Sequence, residues 1–352
     1  MPDPPVRREE RGRTTSGRTQ IRMIGAAGLY ERANLAKDAS APTPVALTSP
    51  GCVASRPGPV LTPRSDYVPA TLSSAMMLRA ALRGGVPGCE SAAKVSVDGR
   101  GWAMPEMTRY EHGVPSWVDI GTQDLGAGVR FYSELFGWEG QDMGEEAGHY
   151  TIVTKDGKQV AAISPAQDPG PPRWTTYINV DDVAEVARKA ESAGGTVIVA
   201  PMDVMTAGRM AIFTDTTGAF IAAWQPGQHL GAQLVNEPGA FIWSELSSSD
   251  VAKSKAFYSA VFGWGWGGGD DYPEAQVSGR TIGGLMPRRP DIPADVPDNW
   301  LVYFGAADVD ADVKKATDLG ASVIAGPADI PGTGRFAVLT DPQGAAFALF
   351  QS

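Results

Sequence analysis

The feature that most constrains this chain is an internal repeat: from Met107 onward the sequence returns after 126 positions. Self-similarity at a fixed spacing predicts repeated structural units. The chain has 352 residues, of which 43% are hydrophobic, so it is long enough for two globular cores. We therefore predict one domain over residues 107–228, a second over 241–352, and a linker over 229–240. The matched positions include Trp117 with Trp243, Asp119 with Glu245, Trp138 with Trp264, Trp174 with Trp300, and Asp215 with Asp341.

Residues 1–106 differ in composition from the repeat. They contain 14 Lys and Arg against 9 Asp and Glu, whereas residues 107–352 contain 16 against 31. The segment is rich in Arg, Pro, Gly, Ser and Ala, and only residues 73–85 show a helical pattern. This composition predicts a disordered basic extension. It is either a tethering arm or a dispensable extension, and Met104 and Met107, just before the repeat, favour the second interpretation.

Each copy divides again into two units with the order strand, helix, strands. In the first unit the run SWVDIGTQD alternates as a strand does, and LGAGVRFYSELFGW has helical spacing behind a candidate N-cap, Asp124. The run HYTIVTKDGKQVAAISP then predicts a hairpin around a Lys-Asp-Gly turn. The second unit repeats the order, with Gly194 ending its helix. Four such units predict an α+β fold.

Composition excludes several classes of function for the repeat. An acidic body without a Lys/Arg stripe argues against nucleic acid or an anionic membrane as a partner. Both cysteines, Cys52 and Cys89, precede the repeat, so the repeat has no thiol for a disulfide, a zinc cluster or a nucleophile. No apolar run approaches the length of a membrane span. We expect a cytoplasmic monomer or homodimer whose partner is a small organic molecule.

Specific motifs carry a family resemblance. The turns FTDTTG and LTDPQG precede the last strand of each copy, and DLGAGVRFYSELFGW follows the first strand. With four βαβββ units, residues 113–352 resemble the vicinal oxygen chelate superfamily of glyoxalases, bleomycin-resistance proteins and extradiol dioxygenases. They look closest to the tandem two-domain branch named for glyoxylases and hydroxylases. The resemblance implies modules that form curved mixed sheets around cavities, with metal ligands on the first and last strands of each module.

The metal-ligand positions that the resemblance implies carry no metal-binding side chains here. The first-strand position falls on Trp117 and Trp243, and the last-strand glutamate position on Ala222 and Ala348. The remaining positions fall near Thr175 and Leu301, and around residues 161–163 and 283–285. A divalent ion needs several nitrogen or oxygen ligands. The three histidines, His112, His149 and His229, have no ligand spacing, so we predict neither a metal nor another cofactor.

Strand alternation predicts what lines the cavities instead, because side chains two apart lie on one face. Asp119 and Glu245 are the candidate catalytic residues, and each needs a cationic partner, a ligand donor or water. Arg209 and Arg335 are the candidate partners, either as fixed ion pairs or in ligand recognition. The predicted ligand-binding residues are Trp117, Tyr177, Asn179, Arg209, Phe220 and Trp224 in the first copy, and Trp243, Tyr303, Arg335 and Phe350 in the second.

Three functional hypotheses follow. The first is a metal-independent binding protein for an aromatic or planar small molecule, in the manner of bleomycin-resistance proteins. The second is an enzyme, a glyoxalase-like lyase or isomerase or a hydroxylase, with Asp119 or Glu245 as the acid/base group. The third is a non-catalytic structural or partner-binding protein whose cavities are filled by its own side chains. The missing metal ligands weigh against glyoxalase chemistry, and the inward aromatic residues favour binding.

Overall fold

The computed structural model describes residues 106–166, 170–289 and 297–352. The predicted extension, apart from Glu106, lies outside the described residues, as does the helix expected at residues 73–85. The described chain forms two eight-stranded mixed sheets, one from each copy of the repeat. The first contains β1 (Pro115–Thr122), β2 (Glu139–Asp142), β3 (Thr151–Lys155), β4 (Lys158–Pro165), β5 (Arg173–Asn179), β6 (Thr196–Val204), β7 (Gly208–Thr214) and β8 (Phe220–Pro226).

The second sheet repeats the first. It contains β9 (Phe241–Ser248), β10 (Gly265–Gly269), β11 (Tyr272–Val277), β12 (Arg280–Pro287), β13 (Asn299–Gly305), β14 (Ser322–Ile330), β15 (Gly334–Thr340) and β16 (Ala346–Gln351). The strand orders are β2-β3-β4-β1-β5-β8-β7-β6 and β10-β11-β12-β9-β13-β16-β15-β14. The two modules of one copy therefore share a sheet, joined at the antiparallel pairs β1–β5 and β9–β13.

One helix follows the first strand of each of the four modules. They are α1 (Leu125–Phe136), α2 (Val183–Ser192), α3 (Val251–Phe262) and α4 (Val309–Asp318). Asp124 caps α1 by accepting a hydrogen bond from the Ala127 amide, as its position predicts, and an aspartate caps each of the other three helices in the same way. No helix among the described residues is long and apolar enough to cross a membrane.

The helices pack crosswise between the two copies. One apolar core joins β1 and α1 of the first copy to β13, α4 and β16 of the second, through residues such as Phe131, Phe304 and Phe347. The other core joins the second module of the first copy to the first module of the second, through Phe213 and Phe257 among others. Each core is completed by the other copy, so the two domains bury their helical faces against each other.

A buried hydrogen bond fixes each crosswise contact. Tyr132 in α1 donates to Asp341 Oδ2 across the two copies at 3.0 Å, and it accepts from Trp174 Nε1 at 3.0 Å. Tyr258 in α3 makes the matching bond to Asp215 at 3.0 Å. Asp341 also accepts the amides of Gln343 and Ala345, which shape the turn before β16. The TDTTG and TDPQG turns therefore also serve as contacts between the copies.

Candidate functional site

The face of each sheet opposite its helices forms a cup, which we call the first cup and the second cup after the copy that supplies it. Strand alternation sends Val118 and Ile120 into the helical core, while Trp117 and Asp119 face the first cup. Trp117 lies beside Tyr177 on β5, and Tyr177 beside Ala222 on β8. Trp117, Tyr177 and Ala222 are thus neighbours across three strands, as their counterparts Trp243, Tyr303 and Ala348 are in the second cup.

A carboxylate held by two tyrosines lies at the base of the first cup. Asp119 Oδ2 accepts hydrogen bonds from Tyr177 at 2.8 Å and from Tyr150 at 3.2 Å. Trp117 Nε1 donates to the Tyr150 hydroxyl at 3.0 Å. Burial, which leaves Asp119 only 3% exposed, raises its pKa to about 7, while the two hydrogen bonds and the charge of Arg173 oppose the shift.

The second cup repeats this arrangement with a glutamate. Glu245 Oε2 accepts from Tyr272 at 2.7 Å, and Oε1 accepts from Tyr303 at 3.1 Å. Trp243 Nε1 donates to the Tyr272 hydroxyl at 3.2 Å. Burial raises the pKa of Glu245 against the effect of the two tyrosine hydrogen bonds. Both carboxyl groups are therefore poised to take up or release a proton nearer neutrality than an exposed carboxyl group would.

The two cups differ in what fills them, and the linker occupies the first. His229 packs edge-on against Trp117, with ring centroids 4.4 Å apart, and lies 5.7 Å from Trp224. Gly231 passes so close that a Cβ atom there would lie 2.5 Å from the Ser116 carbonyl oxygen, and its φ is +116°. A side chain at this position would therefore push the linker away from β1.

The second cup is open and contains a cavity of about 450 Å³. Glu245 lies in its wall together with Tyr272 and Tyr303, the two residues that donate hydrogen bonds to its carboxylate. The hydroxyl oxygen of Thr333, another wall residue, is buried and has no hydrogen-bond partner among the described residues. A polar group in this position is available to a ligand, because buried polar groups are normally paired.

The structure brings most of the predicted ligand-binding residues to the cups. Trp117, Tyr177, Phe220 and Trp224 belong to the apolar wall of the first cup, and Trp243, Tyr303 and Phe350 line the cavity of the second. Asn179 holds the segment before β1 instead, because its side-chain amide donates to the carbonyl oxygens of Tyr110 and Glu111 at 3.0 and 3.2 Å.

The prediction that Arg209 and Arg335 pair with the two carboxylates is wrong. Arg209 pairs with Asp203 at 2.8 Å, and Arg335 with Asp310 and Asp329 at 2.7 and 2.8 Å, all near the surface. The reason is the alternation of side chains along a strand: Met210 and Ile212 face the first cup, so Arg209, one residue away from Met210, points to the other side of the sheet.

The hydroxyl donors Tyr150 and Tyr272 replace the expected cations, and sequence reasoning missed both. They lie 122 positions apart, the offset that the repeat shows at AAISP and GGLMP, and this spacing could have identified them.

The residues present do not fit the divalent ion that the fold family implies. The second cup offers Trp243, Leu301 and Ala348 at three aligned ligand positions, and a tryptophan nitrogen is a donor only. Both oxygens of Glu245 already accept tyrosine hydrogen bonds. Within the described ranges, no group of three or more His, Cys, Asp or Glu side chains could hold a metal ion.

Comparison with known families agrees with this architecture. The model of the glyoxalase/bleomycin resistance protein/dioxygenase superfamily matches residues 115–222, and that of a glyoxalase-like domain matches residues 243–350. The chain therefore belongs to this superfamily, the vicinal oxygen chelate proteins, with two of its domains in tandem. Its four βαβββ modules, two in each domain, agree with this assignment.

Similar proteins of known sequence share both domains. The Mycobacterium bovis protein named "Putative glyoxylase CFP32" is 43% identical over 259 residues, which cover 70% of this chain and 98% of that protein. The anthracycline biosynthesis protein DnrV of Streptomyces peucetius is 37% identical over 266 residues, covering 70% and 95%. Among solved structures, the 2,3-dioxygenase LapB of Pseudomonas sp. KL28 has a TM-score of 0.51 at 15% identity, covering 68% of this chain and 93% of that chain. This last similarity concerns the fold alone.

Proposed function

We propose that this protein binds a small organic molecule in the second cup and that the first cup is structural. The observation that carries the proposal is the contrast between two copies of one site. The first cup contains the side chain of His229, whereas the second surrounds a cavity of about 450 Å³ with a buried carboxylate in its wall. A cavity of this size, mostly apolar and with a few polar groups, is typical of ligand sites.

The wall of the cavity favours a flat ligand. Aromatic rings bind other rings by stacked or edge-on contact. The name of the relative DnrV associates that protein with anthracycline biosynthesis, and anthracyclines are planar aromatic compounds, which supports the same ligand class here. The cavity's aromatic side chains are Trp243, Tyr272, Tyr303, Phe336 and Phe350.

The proposal includes binding without a resident divalent ion. The support is the donor set, because the aligned positions hold Trp243, Leu301 and Ala348 rather than histidine or carboxylate ligands. We also propose that the chain works as a monomer or a homodimer, since the crosswise bonds Tyr132–Asp341 and Tyr258–Asp215 already join the two domains within one chain.

Catalysis by Glu245 is the second candidate function. Its raised pKa makes the carboxylate a stronger base than an exposed glutamate, and its place in the cavity wall puts it within reach of a bound molecule. A general base must be able to approach the proton that it abstracts. Tyr272 and Tyr303 would then hold the carboxylate in position and stabilise its charge.

Matched variants of the two carboxylates test the proposal. A panel of planar aromatic amines, acids and neutral compounds is screened by thermal shift, and hits are measured by calorimetry with Glu245→Gln and Asp119→Asn proteins. We expect Glu245→Gln to weaken binding about 10- to 100-fold, because it removes a buried charge, and Asp119→Asn to leave binding unchanged. Equal effects of the two variants, or no hit that depends on Glu245, would contradict the proposal.

Product analysis separates binding from catalysis. Each hit is incubated with the wild-type protein and analysed by mass spectrometry for a change in the compound. A product that the Glu245→Gln protein no longer forms while it still binds the compound supports the catalytic candidate. Unchanged compound throughout supports binding alone.

A further inference from the structure

The linker binds the first cup as a ligand would. We call residues 228–233 the docked segment. The imidazole of His229 packs against Trp117 and Trp224, and Trp224 Nε1 donates to the His229 carbonyl oxygen at 2.9 Å.

The backbone of the docked segment also binds the first cup. The amide of Ala232 donates to the Ser116 carbonyl oxygen at 2.8 Å. The amides of His229 and Gln233 donate to the carbonyl oxygens of Ala207 at 2.9 Å and Gln159 at 2.7 Å. The docked segment is thus a flat ring on a chain of hydrogen-bonding amides.

The positions that hold the docked segment have counterparts at the second cup, although Phe350 lacks the N–H donor that Trp224 supplies. Trp243 and Phe350 occupy the positions of Trp117 and Trp224 in the repeat, and both line the open cavity. Thr333, with its unpartnered hydroxyl, stands at the position of Ala207. Trp243 and Phe350 would face a ring placed as His229 is placed in the first cup, and Thr333 would stand at the position that binds the His229 amide there.

The chain-binding part of the site is also present. Ser116 lies in a bulge of β1, and Ile242 lies in the matching bulge of β9, where the strand pairing leaves out one residue. Thr281 matches Gln159 at the 122-residue offset. Ile242 and Thr281 line a second cavity of about 540 Å³, which shares Asn236, Ile242 and Trp243 with the first. The two cavities are therefore adjacent and could hold a ring and a chain together.

The second cup differs from the first in charge. Among the described residues, Glu237, Glu245 and Glu274 line its cavity and no lysine or arginine does, whereas Arg109 and Arg280 line the adjoining cavity. Glu274 stands at the position of the apolar Ile152 in the first copy, and it is next to Thr281, whose hydroxyl donates to it at 3.0 Å. Carboxylates around an aromatic wall favour a ring with N–H donors or a positive charge.

We propose that the second cup and the adjoining cavity bind a flat nitrogen-bearing ring with N–H donors, attached to an amide chain, as in a histidine-containing peptide or an acylated histidine-like amine. The ring lies between Trp243 and Phe350, and the chain runs past Ile242 to Thr281. The proposal rests on the second cup being the ligand site and specifies the class of ligand that it takes.

The probe is the docked segment itself, as the capped hexapeptide acetyl-Gln-His-Leu-Gly-Ala-Gln-amide, titrated into the full chain by calorimetry. The first cup is already occupied, so one peptide is expected to bind per chain. A peptide with Ala in place of His should bind about tenfold more weakly, because the ring is the anchor. A peptide with Phe in place of His should bind with intermediate strength, because it keeps the ring and loses the N–H donors.

Protein variants locate the binding. Glu274→Gln is expected to weaken the His peptide about two- to fivefold and to leave the Phe peptide unchanged, whereas Glu139→Gln, on exposed β2, should change neither. Trp243→Phe should change the dissociation constant of the peptide and remove the one indole NMR signal that moves when the peptide binds.

If the peptide does not bind while Glu245-dependent aromatic compounds still do, this proposal is wrong and the proposed function stands. If neither binds, both are wrong. Peptide binding that neither Glu274→Gln nor Trp243→Phe changes would also contradict the proposed ligand class.

Discussion

The imidazole of His229 packs edge-on against the indole of Trp117, with ring centroids 4.4 Å apart. Trp243, the counterpart of Trp117 in the repeat, instead lines a cavity of about 450 Å³. Two sites with the same strand order and the same carboxylate-tyrosine base therefore differ in whether a segment of the chain occupies them. This difference makes the first cup an internal control for every experiment on the second.

Docking of the linker should weaken in acid. Burial lowers the pKa of His229 from 6.5 to about 4, so the docked ring is neutral. Docking is then at full strength above pH 6.5 and is lost progressively as the pH falls towards 4. We expect the amides of His229 and Ala232 to exchange hydrogen faster at pH 5 than at pH 7.5, after correction for intrinsic rates. The His229→Phe variant keeps a ring without a titrating group and should show no such change. Equal protection of the wild-type linker at both pH values would refute this assignment.

Asp119 should reduce the stability of the protein as the pH rises. Its folded pKa of about 7 lies above the unfolded value near 3.8, so folding takes up a proton between these values. The contribution is fully favourable below pH 3.8 and is lost as the pH rises through 7, with an upper limit of about 4 kcal/mol. Asp119→Asn should therefore gain stability relative to wild type between pH 5 and pH 8, as measured by urea unfolding. Parallel stability curves for the two proteins would show that Asp119 does not titrate in this way.

The tyrosines that join the two copies should contribute comparably to stability. Tyr132→Phe removes the donor to Asp341 and the acceptor of Trp174, both buried, and Tyr258→Phe does the same to Asp215 and Trp300. We expect each variant to lower the free energy of unfolding by about 1–3 kcal/mol. The two losses should add, because the two tyrosines lie in separate cores. A loss below about 0.5 kcal/mol for both would mean that these bonds do not stabilise the contact.

Divalent metals should not bind tightly at the second cup. Trp243 and Ala348 replace the side chains that would ligate an ion, and both Glu245 oxygens accept hydrogen bonds from tyrosine. Dialysis against a chelator, followed by Mn²⁺, Ni²⁺ or Zn²⁺, should leave the midpoint of thermal unfolding unchanged, since a bound ion would raise it. One equivalent of metal retained by the purified protein in elemental analysis would contradict the expectation.

Much of the fold could be predicted because it depends on local and repeated signals. The 126-residue offset, the N-cap at Asp124 and the Asp156-Gly157 turn, where both residues have positive φ, all agree with the structure. The strands β2 and β10 gave no separate signal: the four residues of β2 are all exposed, and β10 is rich in glycine. Edge strands of this kind lack the alternation that identifies a half-buried strand.

The sequence by itself determined the tandem modules and the placement of Asp119 and Glu245 facing the cups, because alternation within one strand decides which side chains share a face. Only the tertiary structure decided what meets these carboxylates. Tyr272 reaches Glu245 from β11, two places away in the sheet, and Tyr150 reaches Asp119 from the residue just before β3. The alternation of side chains along β7 turns Arg209 to the other face of the sheet, where it pairs with Asp203. Whether a cup is open also depends on tertiary contacts, since the linker docks through hydrogen bonds and through the contacts of the His229 ring with Trp117 and Trp224. Such contacts between distant segments have no period along the chain, so no local pattern reveals them.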